Sequence, residues 1–254
     1  MTDDVLRETR GPVWIVTINR PEQRNAINAA VRDGLRRAFT DFEADTAARV
    51  LILTGAGDRA FCAGADLIEM SVTALGKPPK GFLPIIGQGI EVTKPTIAAV
   101  NGVAFAGGWL FAQMCDLCVA SDTVRFAITE AKFGRGMPWG PPLIHLLPQR
   151  IALELLLTAA PITAARAYEV GYVNRVVPPA ELMPTAIAMA EAIAANAPLT
   201  VAAAKEMIAL SREMGGKAAL AAAEHLFDHV FRSEDAQEGP RAFREKRPPV
   251  WRGR

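Results

Sequence analysis

The chain has 254 residues, half of them hydrophobic and 22% charged, with a formal net charge of +1. That length supports a substantial buried core, and the balanced charge gives no footprint for a nucleic acid or an anionic membrane surface. Three cysteines cannot form a paired disulfide framework. The opening MTDDV carries acids where a leader needs lysines, and the longest apolar run, 97–115, is broken by Asn101, Gly102, Gly107, Gly108 and Gln113, so a cytoplasmic protein without a membrane span is expected.

The first predicted element is a strand, VWIVTINR over 13–20, β-branched and apolar and ended by Pro21. Over 25–45, Ile27, Val31, Leu35, Phe39 and Phe42 recur every three to four residues between charges, which predicts an amphipathic helix. RVLILTG (49–55) and PTIAAVNG (95–102) are short buried-type strands that end in glycine turns, and LCVASDTVRFAITE (117–130) supplies one or two more. The stretch 70–94, rich in Gly, Pro and Lys and without a period, predicts a long mobile loop followed by a helix. From about residue 185 the text turns into Ala-rich helices, the last of them with Ser233 as its expected cap. Short strands that run into turns and then helices predict an α/β fold of stacked units, with ligands at the strand ends. The small alanines suit close helix packing, either within the chain or between subunits.

Several motifs carry little chemistry. TGAGDRA (54–60) has the look of a dinucleotide loop, but no good helix follows it. Cys115 and Cys118 form a lone pair that only Cys62 can join, which favours buried thiols over zinc. His225 and His229 are spaced i, i+4 without the surrounding zincin pattern, and His145 in PPLIHLLPQR reads as a core or pocket residue. No metal site is expected.

AFCAGADL (60–67) and FAGGWL (105–110) are more specific. Each places small residues after a strand at the start of a helix, where a ligand oxygen can approach a backbone N–H. Two such N–H groups aimed at one point make an oxyanion hole, whereas either segment alone is equally a tight turn with close helix packing.

Taken together, INRPEQRNAIN, RVLILTGAGDRAFCAGADLIEM, KPTIAAVNGVAFAGGWLFAQMCDLCVAS, FAITEAKFG and the closing AFREKR occur in the order and at the spacing of the crotonase superfamily. The chain thus resembles the enoyl-CoA hydratase/isomerase family over essentially its whole length. The resemblance implies a spiral of ββα units as an acyl-CoA-binding core (1–195) and a helical C-terminal trimerisation region (196–254). It implies that the N–H groups of Ala65 and Gly107 hold the thioester oxygen as it gains enolate charge. Ala63, Ala65, Asp66, Leu67 and Ile68 match the segment that lines CoA, and Arg24 and Ala26 match the turn beside its nucleotide end. Phe243 and Lys246 match a C-terminal pair that closes a neighbouring subunit's CoA site, in place of a merely solvated basic tail.

In hydratases of this family one Glu follows the oxyanion glycines by three positions and a second lies about twenty residues later. The second is present as Glu130, but the first position holds Leu110, which cannot accept a proton or hold a water. An apolar Leu110 beside Glu130 is expected to raise the carboxyl pKa. GRGMPWGPPL replaces a glycine-rich turn of relatives, and Trp139 is expected to reshape the acyl pocket. The expectation is therefore an acyl-CoA enzyme in which one acid/base, Glu130, favours proton transfer of the isomerase kind over hydration. It needs no cofactor beyond the CoA of its substrate, assembles as a homotrimer or hexamer, and binds neither nucleic acid nor membrane. The alternatives are a true enoyl-CoA hydratase with a substituted second acid and a non-catalytic acyl-CoA-binding protein.

Overall fold

The computed structural model describes residues 3–74 and 76–254; Met1, Thr2 and Leu75, the last within the stretch expected as a loop, lie outside the described residues. A hairpin opens the chain, with β1 (Val5–Arg10) antiparallel to β2 (Val13–Ile18). β1 escapes a sequence reading because it is an edge strand with almost every residue exposed, so no apolar period marks it. Helix α1 (Ala29–Ala44) is capped by the Asn28 side chain, which accepts from the Val31 N–H at 2.9 Å. It starts four residues later than expected because 20–28 form a separate turn, and Val31, Leu35, Phe39 and Phe42 form its buried face.

The middle of the chain repeats a strand–strand–helix unit. β3 (Val50–Gly55) and β4 (Ala60–Cys62) lead to α2 (Leu67–Thr73), and β5 (Thr96–Val100) and β6 (Val103–Phe105) lead to α3 (Gly107–Gln113). β7 (Leu117–Ser121) and β8 (Arg125–Ala127) are followed by α4 (Leu143–Leu146) and α5 (Gln149–Thr158). β9 (Ile162–Thr163), α6 (Ala164–Glu169) and β10 (Arg175–Val177) complete the body. Within each unit the first strand joins one sheet and the second joins another. The larger sheet runs β1-β2-β3-β5-β7-β10 and the smaller runs β4-β6-β8-β9. Beyond the hairpin the larger sheet is parallel, and so are β4, β6 and β8.

The larger sheet is covered on both faces, which is why its strands read as unbroken apolar runs. Leu51, Leu53, Ala98, Val100, Cys118 and Ala120 face the main core with α1 and the smaller sheet. Their neighbours Val50, Ile52, Ile97, Ala99 and Val119 face Leu182, Ala186 and Ala190 of α7 (Leu182–Ala194), spaced one helical turn apart.

Residues 76–95 contain no helix, contrary to the sequence expectation for 70–94. Pro78, Pro79 and Pro84 alternate with glycines, of which Gly81, Gly87 and Gly89 have positive φ, so no helical run is long enough to form. α8 (Pro198–Glu213) and α9 (Gly216–Phe231) each bury only one residue, Ala203 and Val230, and leave Ile208, Leu220 and Phe231 exposed. α10 (Glu234–Glu245) starts on Ser233, whose side chain accepts from the Ala236 N–H as expected. Glu238 on this helix accepts from Arg241, Arg247 and the Val250 N–H and holds the C-terminal segment against it. No single helix among the described residues is long and apolar enough to cross a membrane.

Candidate active site

The two glycine-containing segments meet at one place. Ile27 donates to the Gly64 carbonyl at 2.8 Å and accepts from the Asp66 N–H at 3.1 Å. Both bonds flank Ala65 in an extended segment, so the Ala65 N–H points to the opposite side. Gly107 is the first residue of α3, and a helix leaves its first N–H groups without an internal partner. The segments are in close contact: a Cβ on Gly64 would lie 2.9 Å from the Ala106 Cβ and 3.5 Å from the Gly107 nitrogen. Ala106 turns the chain between β6 and α3 at φ 52°, ψ −115°, a conformation that costs an L residue on the order of 1–3 kcal/mol. It is held there by its N–H on the Ala127 carbonyl at 2.9 Å and its carbonyl on the Leu110 N–H at 3.1 Å.

A second turn frames the same opening. Arg24 and Asn25 both have positive φ, and the buried Asn25 side chain bonds the Arg20 N–H and the carbonyls of Ala56 and Ala60. Arg20 reaches the Ala26 carbonyl at 2.7 Å and the Asp66 carboxylate at 2.9 Å, fastening this turn to the start of α2. Asp66 in turn caps α2 through the N–H groups of Ile68 and Glu69. Burial works to raise the Asp66 pKa, but the Glu69 N–H and the Arg20 guanidinium outweigh it and hold the carboxyl below its usual range. Arg20 and Asn25 escaped the sequence reading, since both act through contacts more than thirty residues away.

These segments line a cleft of about 1920 Å³. Of the residues singled out from sequence, it brings together Arg24, Ala26, Ala63, Ala65, Asp66, Leu67, Ile68, Gly107, Glu130 and Trp139. Leu110 is not among them; its side chain is buried in the main core. Phe243 and Lys246, at the end of α10, are also absent from the cleft lining, and Phe243 is 86% exposed. The cleft further gathers Lys77, Lys80 and Phe82 from the aperiodic loop and Lys132, Phe133 and Arg135 from the turn after Glu130, none of which was singled out from sequence. His145 is exposed on α4, not a core or pocket residue, because Leu143 takes the inward face of that short helix.

Glu130 opens a short 3-10 turn (Glu130–Phe133) after β8 and is 8% exposed. Its Oε2 is buried without a hydrogen-bond partner among the described residues. Burial raises the carboxyl pKa against a weaker pull from the backbone N–H groups of Glu130 and Thr129. The other acids on the cleft are committed or solvated: Asp66 caps α2, and Glu22 is exposed. Glu69, close in sequence, is bound to Arg32 at 2.7 Å and to the Ala29 N–H at 2.8 Å. Among the described residues, Glu130 is thus the one buried, uncommitted carboxylate on the cleft. Burial pushes the Cys62 and Cys115 thiols up to about 12 and so removes them as nucleophiles. No group of three or more His, Cys, Asp or Glu side chains among the described residues is arranged to hold a metal.

The comparisons agree with this architecture. The family model described as enoyl-CoA hydratase/isomerase matches residues 8–254. A carnitinyl-CoA dehydratase of Proteus mirabilis is 39% identical over the full length of both chains, and one of Salmonella enteritidis is 37% identical, also over both full lengths. The crystal structure of an enoyl-CoA hydratase from Mycobacterium tuberculosis superposes with a TM-score of 0.91 at 40% identity, covering all of both chains. One from Bacillus anthracis gives 0.92 at 31% identity, covering 99% of this chain and 100% of that one. A buried carboxylate, a pair of glycine-flanked strand ends and a full-length family match lead to one conclusion: the chain belongs to the enoyl-CoA hydratase/isomerase family and is an acyl-CoA enzyme of that crotonase-like fold.

Proposed function

We propose that this enzyme moves a proton between carbons of a bound enoyl-CoA, shifting its double bond, with Glu130 as the single acid/base. The observation that carries this reading is the buried Glu130 carboxyl, whose Oε2 has no hydrogen-bond partner among the described residues, on a cleft whose other acids are committed or solvated. In this scheme the thioester oxygen accepts from the N–H groups of Ala65 and Gly107. The Glu130 carboxylate removes a proton from the γ-carbon, negative charge builds on the thioester oxygen, and the same carboxyl returns the proton to the α-carbon. The double bond moves one position; no water is added and no cofactor is needed beyond the CoA of the substrate. Preorganised donors of this kind are worth about 3–4 kcal/mol each. Burial raises the Glu130 pKa, which makes its carboxylate a stronger base for the first transfer.

The cationic rim of the cleft, with Arg24, Lys77 and Lys80, suits the phosphates of CoA. Ala63, Asp66, Leu67 and Ile68 provide its pantetheine wall. Phe243 and Lys246 act on the cleft of a neighbouring copy, so residues 196–254 serve assembly as a homotrimer or hexamer and 1–195 form the acyl-CoA core. The free thiols of Cys62, Cys115 and Cys118 suit the reducing cytoplasm as its location.

Water addition or removal is the rival reading, favoured by the full-length similarity to the carnitinyl-CoA dehydratases. It requires another group to hold the water where Leu110 stands. Mass spectrometry of products from enoyl-CoAs of increasing chain length decides between the two. Products of unchanged mass with a moved double bond, lost on Glu130→Gln, are expected. Products heavier or lighter by one water, at rates untouched by Glu130→Gln, would overturn the single-acid scheme.

A further inference from the structure

Helix α3 carries Gly107 at one end and Gln113 at the other, and both ends of the Gln113 amide are engaged. Its Oε1 accepts from the Trp109 indole N–H at 3.2 Å, and its Nε2 donates to the Trp139 carbonyl at 3.2 Å. The indole only donates and the carbonyl only accepts, so the amide has one orientation that satisfies both. Gln113 sits one helical turn after Trp109, which brings the amide over the indole edge. Trp109 itself is fully buried and immobilised. Its ring stacks on Tyr172 at 4.5 Å and meets Phe126 edge-on, while the Tyr172 hydroxyl donates to the Trp109 carbonyl at 3.2 Å.

Trp139 lies in the segment that leaves Glu130 and returns to the body at α4. Its neighbours bond only locally, as Gly140 to Met137 and Leu143 to Gly140. Among the described residues, the Gln113 amide makes the one recorded hydrogen bond that ties 136–142 to a distant part of the chain. Trp139 and Pro138 line the same cleft as Glu130, so the position of this wall is set from α3.

We propose that Gln113 is a positioning residue that fixes the Trp139 wall relative to the Gly107 N–H and so selects the acyl groups that fit under Glu130. The proposal rests on the acyl-CoA reading of the cleft given above. Gln113 touches no substrate; it acts through the Trp139 backbone. Its loss frees the wall to shift and changes the preference among acyl chains while leaving the CoA end of the cleft alone.

Two variants test this. Gln113→Met keeps the length of the side chain and removes both bonds. Gln113→Glu keeps an acceptor for Trp109 but sets a carboxylate oxygen against the Trp139 carbonyl in place of the donor, so it breaks that bond at unchanged side-chain size and remains informative if the first variant folds poorly. Calorimetric titration with free CoA, butyryl-, octanoyl- and dodecanoyl-CoA gives the chain-length preference, and exchange of substrate α-protons in deuterated water gives KM and kcat. Both variants are expected to change the ratio of dissociation constants between acyl chains by about three- to tenfold, the worth of one neutral hydrogen bond. Free CoA affinity stays as in the parent, and the effect falls on KM more than on kcat. A preference identical to the parent's, or equal losses for every chain length in step with a lowered melting temperature, would overturn the proposal while α-proton exchange by the parent protein upholds the acyl-CoA reading. Failure of the parent to bind any acyl-CoA would overturn both.

Discussion

At the scale of single residues, the site is built around a carboxyl group that the fold does not need. A buried acceptor without a partner costs about 1–3 kcal/mol, and the Glu130 Oε2 is one. Its folded pKa is raised by burial, so the folded protein holds the proton at a pH where the unfolded chain has already released it. The penalty is therefore absent below the ordinary glutamate range and develops as pH rises through the interval between the unfolded and the raised folded value. Glu130→Gln is expected to melt higher than the parent at neutral pH while losing activity, with the gap in melting temperature closing as pH falls below about 4, where the carboxyl takes up its proton in the folded and the unfolded chain alike. Scanning calorimetry across this range checks it, and a gap that widens on acidification would contradict the assignment. The acid limb of the activity profile follows the same group, at an apparent pKa above that of a free glutamate. Glu130 was legible in the sequence because its surroundings match a family pattern. Its missing partner was legible as Leu110, although the core position of that side chain was not, since burial depends on strands far away in the chain.

The elements explain why two glycines stand side by side at the start of α3. A Cβ on Gly108 would lie 1.9 Å from the Cys62 carbonyl oxygen, a backbone atom of β4 that cannot move aside. A Cβ on Gly107 would lie 2.6 Å from Cδ1 of Ile27, the end of a side chain that can rotate. Gly108→Ala is thus expected to destabilise the protein by about 3 kcal/mol or more by forcing α3 away from β4. Gly107→Ala is expected to fold, with a melting temperature within a few degrees of the parent, and to lose activity because the methyl and the displaced Ile27 enter the cleft. Urea unfolding alongside proton-exchange assays separates the two, and equal stability losses would refute the distinction. The strand–turn–helix order around these glycines could be read from their flanking residues. The other wall could not: 76–95 has no period, and the loop that carries Lys77, Lys80 and Phe82 is held by distant partners, with Arg36 on the Gly81 carbonyl, Arg135 on the Gly76 carbonyl, Arg32 over the Phe82 ring, and Leu83, Ile85 and Ile86 on the core.

At the scale of the whole molecule, the Ala-rich C-terminal helices pack on each other and leave Ile208, Leu220 and Phe231 facing outward. Apolar side chains left exposed on two helices that each bury a single residue suit the interface between copies proposed above. Light scattering is expected to give a mass three or six times the 27.2 kDa of the chain, and Leu220→Asp is expected to lower it. A parent protein that runs as a monomer would remove the assigned role of Phe243 and Lys246 in a neighbouring cleft. The sequence placed these helices well, because their boundaries are local, but gave no view of how two sheets share the strands between them. That sharing has a mechanical result. β4 and β6 are adjacent parallel strands, with Ala60 opposite Val103 and Cys62 opposite Ala104, and the proposed N–H donors follow directly from their ends. Neighbouring strands lie about 4.8 Å apart, so the sheet itself sets the scale on which the proposed donors are separated, across a register shift between Ala60 and Cys62. Side chains that carry the proton chemistry, such as Glu130, can then differ without moving the point at which the proposed donors would hold a thioester.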